Sequence, residues 1–90
     1  MKRFVIERNL PGVQALKGDA LKAAAAKSNA ALASLGGKVT WEHSYVVDDK
    51  TFCVYVADSE QSVMEHAKAS GFPANKVTEV RRIIDPITAN

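Results

Sequence analysis

One cysteine in ninety residues, Cys53, leaves no intrachain disulfide and fits a reducing compartment. Long apolar runs are also missing. After the first three residues only Phe4-Val5-Ile6 precedes Glu7, short of the roughly 7–15 apolar residues of a secretory signal. No segment approaches the ~20 apolar residues of a membrane span, so a cytoplasmic protein without a membrane partner is expected. Charge of one sign is scarce. The net charge is +2 and the cations are scattered, without the basic stripe and stacking aromatics that nucleic acid requires. The chain has no glycine-rich phosphate loop, HExxH, CxxC or GxSxG, and no other pattern that specifies a reaction or a catalytic residue.

What is present describes one small domain spanning residues 1–90. A hydrophobic fraction of 47% argues against disorder. Residues 2–8, KRFVIER, read as a strand closed by Pro11-Gly12. Alanine dominates residues 14–35 and predicts a helix. Leu21, Ala24, Ala25, Ser28, Ala31, Leu32 and Leu35 recur with the spacing of one buried face. Asp19 is a candidate N-cap, with 13–18 then left as loop, and Gly36-Gly37 is the stop signal. Residues 38–47 alternate, placing Val39, Trp41, His43, Tyr45 and Val47 on one face of a strand. Asp48-Asp49-Lys50 reads as a hairpin loop and 51–57 as the returning strand. Asp58 or Ser59 caps a second helix that runs through Ser70 with Val63, Ala67 and Ser70 on one side, and Gly71 ends it. Residues 76–85 read as the last strand.

The order βαββαβ predicts an α+β, ferredoxin-like sandwich: a four-stranded antiparallel sheet with two helices on one face. The other sheet face has no cover. Apolar residues occur on both sides of the strands, which predicts a homodimer burying the open face.

Few residues can carry chemistry. His43 and His66 each follow a glutamate, and regular strand or helix geometry turns the two members of each pair in different directions. If the hairpin loop has three residues, Cys53 and Tyr55 join Trp41, His43 and Tyr45 on one face. If it has two, they fall on the other face, since a one-residue shift swaps sides. The first arrangement suits nickel, copper or zinc; it equally suits an aromatic dimer interface. His66 alone reads as an exposed helix residue, and Cys53 as a small buried hydrophobe. Glu7 and Glu79, on neighbouring strands, could be paired carboxylates, but Arg8, Arg81 and Arg82 nearby favour structural ion pairs.

FVIERNLPG, WEHSYV, DDKTFCVYVA, EHAKASGFPANKVTEV and the closing IDP, taken together, resemble the small actinobacterial nickel-binding, nickel-responsive proteins, part of a larger family of ninety-residue domains. The resemblance covers nearly the whole chain. The alanine-rich KGDALKAAAAKSNAALAS departs most from it. The resemblance implies a ferredoxin-like homodimer that binds nickel for sequestration, delivery or response, with His43, His66 and Cys53 as the metal ligands. Two other readings stand beside it. One is a small dimeric enzyme or ligand-binding protein with an aromatic pocket walled by Trp41, Tyr45 and Tyr55, with His43 as acid or base. The other is a structural dimer with no ligand.

Overall fold

Apolar residues at alternate positions place Phe4, Ile6 and Arg8 on one side of the first strand, all three buried. The computed structural model describes residues 1–90. Its elements are β1 (Lys2–Asn9), α1 (Gly18–Ala33), β2 (Val39–Val47), β3 (Lys50–Ala57), α2 (Glu60–Ser70) and β4 (Lys76–Val80), with short 3-10 turns at Val13–Ala15 and Pro86–Ala89. The strands form one four-stranded sheet in the order β2-β3-β1-β4. Every neighbouring pair is antiparallel. This is the ferredoxin-like α+β arrangement that the element order predicts.

The inner face of the sheet carries Phe4, Ile6, Val39, Cys53, Tyr55 and Ala57, packed with Val63 of α2 and flanked by Leu32, Leu35 and Val77. Phe4, Ile6, Val39 and Val63, taken almost fully from water, each contribute about 1.5–3 kcal/mol. The outer face presents Val5, Phe52 and Val56, each half-buried, with no layer over them.

Ser59 is the N-cap of α2, its hydroxyl accepting from the Ser62 N–H at 3.2 Å. Gly71 closes that helix at φ 76°, a left-handed conformation that glycine takes without strain. Helix α1 begins at Gly18 with Lys17 as N-cap. Asp19 is therefore not the cap but a first-turn acid facing the positive helix end. Strand β4 is half the length its sequence predicts. Val80 pairs with Arg3, almost at the start of β1, so residues 81–85 have no strand left to pair with. Residues 81–90 are exposed, including Ile83, Ile84 and Ile87.

Candidate functional site

Strand β2 decides which candidate residues meet. Trp41 pairs with Tyr55, but His43 pairs with Val54, so Glu42 is an extra residue in a β-bulge. The bulge resets the alternation. Trp41 and Ser44 now share the inner face, where the indole Nε1–H donates to Ser44 Oγ at 2.9 Å. His43 and Tyr45 turn outward, with their rings edge to face at 5.0 Å and His43 Nε2 3.2 Å from the Tyr45 hydroxyl. The continuous Trp41-His43-Tyr45 row expected from strict alternation is thus split between two faces. The hairpin loop is Asp48-Asp49, two residues, with Val47 opposite Lys50.

The bulge also brings Glu42 to the outer face beside His43, a pairing that regular strand geometry forbids. Arg3 donates from Nε to Glu42 Oε1 at 2.6 Å and from Nη2 to Oε2 at 3.1 Å. This fork holds the Glu42 carboxyl below its ordinary pKa. Glu42, His43 and Tyr45 are all exposed.

The inner face holds the second group. Cys53 is buried opposite Ser44, with its sulfur 3.4 Å from Thr51 Oγ1. His66 is fully buried, not exposed as its sequence context suggests. Its Nε2 lies 3.1 Å from the Tyr55 hydroxyl and 3.4 Å from Ser28 Oγ, and its Nδ1 has no partner. Burial, with Arg8 adding to it, pushes the His66 pKa down to about 4. Burial likewise raises the Tyr55 pKa.

Arg8, expected among the arginines ion-paired with Glu7 and Glu79, is in no such pair. It is 2% exposed, yet no carboxylate lies within ion-pair distance. Its Nη1 donates to the carbonyls of Phe72 at 3.2 Å and Pro73 at 2.7 Å, and its Nη2 reaches the Tyr55 hydroxyl at 3.5 Å. The strand phase Phe4-Ile6-Arg8 is the signal that could have found it. Glu7 and Glu79 do form ion pairs, with Lys50 at 3.8 Å and with Arg81 at 2.8 Å. They do not form a carboxylate pair.

Arg8, Trp41, Cys53 and Tyr55 line a cavity of 510 Å³, open on one side, between the sheet and α1. Leu10, Val13, Leu21, Ala24 and Ala25 supply its apolar walls. The face read as packed core is packed only from Ser28 on, at Ser28, Ala31 and Leu32 of α1 and at Leu35 just past its end. Ahead of Ser28, the short Ala24 and Ala25 side chains leave space instead. Of the aromatic pocket expected from sequence, Trp41 and Tyr55 line this cavity, while Tyr45 and His43 lie outside it on the other sheet face.

The metal ligands implied by resemblance are therefore divided. His43 is on the outer face; Cys53 and His66 are on the inner side. No three His, Cys, Asp or Glu side chains converge as a metal site within one chain. His43 is exposed to solvent, whereas Cys53 and His66 are buried.

The fold and these features define a small ferredoxin-like α+β domain with an uncovered sheet face and an apolar cavity behind it. The chain belongs to the SCO4226-like family of nickel-responsive proteins, whose model matches residues 4–80. Its fold is similar to the crystal structure of SCO4226 from Streptomyces coelicolor A3(2), at TM-score 0.74 and 19% identity, over 91% of this chain and 99% of that one. Comparison with curated proteins gives no match. No helix is long and apolar enough to cross a membrane.

Proposed function

We propose that this protein binds a divalent transition metal, nickel in keeping with its family, at His43 on the open sheet face, with a second copy of the chain completing the site. The observation behind this reading is the bulge at Glu42. It presents an imidazole, a carboxylate and a phenol together on the exposed side of an edge strand. Neutral imidazole suits Ni²⁺ and the Tyr45 phenol oxygen can supplement it, while the Glu42 carboxylate would have to leave its fork with Arg3 to join them. One chain offers a single imidazole there, which is thin for tight binding. A two-fold related copy doubles the set, since the same patch meets itself across such an axis. Cys53 and His66 are the weaker candidates, because both are buried and a second copy of the chain cannot add ligands to them as readily as to the exposed His43.

Calorimetric titration with NiCl2 of protein made without a histidine tag tests this. His43→Ala should weaken nickel binding by roughly 100-fold, at least what loss of a supporting partner costs a metal site. Cys53→Ser and His66→Gln should leave it within a few-fold. Undiminished binding by His43→Ala, with loss in either inner variant, would move the metal behind the sheet. No binding by the unaltered chain would remove the reading.

A further inference from the structure

We propose that the cavity beneath α1 is a binding site for a small organic monocarboxylate with an apolar body. The cavity is separate from the His43 face, and this proposal is independent of nickel. Three observations support it. The volume, 510 Å³, falls within the roughly 300–1,000 Å³ of small-molecule pockets. The walls are apolar, and Arg8 is the one charged residue among those lining them. That arginine is 2% exposed and has no counter-ion; two backbone carbonyls and the rings of Tyr55 and Phe72, 6.0 and 5.9 Å away, only partly offset the cost of burying its charge.

The donors left on Arg8 specify the ligand. The Phe72 and Pro73 carbonyls occupy Nη1, whereas Nη2 has only the distant Tyr55 hydroxyl and Nε has no protein acceptor. The Nε–Nη2 edge of a guanidinium is a planar fork matched to the two oxygens of a carboxylate. A single fixed charge with no lysine beside it on the lining suits a monoanion better than a phosphate dianion. The two carbonyl bonds hold the guanidinium in place, and Tyr55 adds a weaker contact. Arginine can only donate, so the phenol oxygen accepts from Nη2, and His66 Nε2 lies 3.1 Å from the same hydroxyl. Alanine at positions 24 and 25 supplies the room for the ligand's apolar body.

Decanoate and decan-1-ol, of equal chain length and differing in the head group, are the probes. Trp41, the chain's only tryptophan, lies in the cavity wall and reports by fluorescence. In metal-free buffer, decanoate should bind at least tenfold more tightly than decanol. Arg8→Met should lose that preference while still taking up decanol. Ala25→Phe, which fills the cavity from α1 and leaves Arg8 in place, covers the case in which Arg8→Met does not fold; its helical circular dichroism should persist while decanoate binding is lost. Equal affinity of the unaltered protein for the two probes, tighter binding of decyl phosphate than of decanoate, or undiminished decanoate binding by folded Ala25→Phe would each overturn the proposal.

Discussion

His66 is held neutral by its burial, and that ties stability to acidity. In the unfolded chain its imidazole takes up a proton near the ordinary value of 6.5, but in the folded chain only near 4. The unfolded state therefore binds more protons between those values, and stability present above pH 6.5 is lost as the pH falls toward 4. A displacement of that size corresponds to about 3 kcal/mol. Urea denaturation of the unaltered protein and of His66→Gln at several pH values in this window should show a steeper decline for the former. Parallel declines would mean that His66 does not titrate as its burial dictates. The position of His66 was in fact legible: with Val63, Ala67 and Ser70 it completes one helical stripe, and all four are buried. Residue type misled, because an isolated histidine is read as polar surface. The same bias hid Arg8, in phase with Phe4 and Ile6 and charged only at the end of a long side chain.

Two segments that contribute to the cavity wall, the β2–β3 hairpin through Val46 and Thr51 and the stretch from Leu10 to Val13, are tied together beside it. Asp49 joins them. Its carboxylate accepts from the Gly12 N–H at 2.7 Å and from Gln14 Nε2 at 3.3 Å. Its own N–H donates to Gln14 Oε1 at 2.9 Å, and its carbonyl accepts from the Leu10 N–H at 2.9 Å. Asp49 sits at φ 58°, a left-handed conformation that aspartate and asparagine tolerate better than alanine. Asp49→Ala should cost about 1–3 kcal/mol, since it adds backbone strain to the lost hydrogen bonds. Asp49→Asn should cost less, and Asp49→Gly should relieve the strain while still losing the anchor. Denaturant midpoints of the three variants check this order. At this scale the sequence revealed the hairpin but left its register open. Alternation also carried no sign of the bulge, because an added residue leaves each flanking half looking regular. The length of β4 was hidden for a different reason: it depends on where β1 begins, a distant part of the chain.

For the molecule as a whole, element order was enough to give the topology, since right-handed crossovers and a central hairpin leave few other arrangements. The cavity was not readable in that way. Alanine is both the best helix former and the smallest apolar side chain, so the composition that makes α1 certain also determines how little of the interior it fills. The open face poses the remaining question of assembly. Phe52 faces Tyr45 across the strands there, with Lys50 Nζ 5.7 Å from its ring centre. If this face pairs two copies, sedimentation should give a dimer for the unaltered chain and a folded monomer for Phe52→Glu. A monomeric unaltered chain at every concentration would leave the face unpaired and would require another source of ligands at His43.

The bulge at Glu42 also governs how this strand should be aligned with its relatives. A homologue one residue shorter here would still turn its tryptophan inward and its histidine outward, because the bulge absorbs the extra residue without passing a phase change to its neighbours. A gap at position 42 therefore removes the Arg3 fork but leaves the two faces as they are, whereas one inside residues 43–47 would exchange them. Insertions and deletions among relatives should collect at the former position and avoid the latter. Spacing counted from the tryptophan to the histidine is accordingly a poor guide to kinship in this segment.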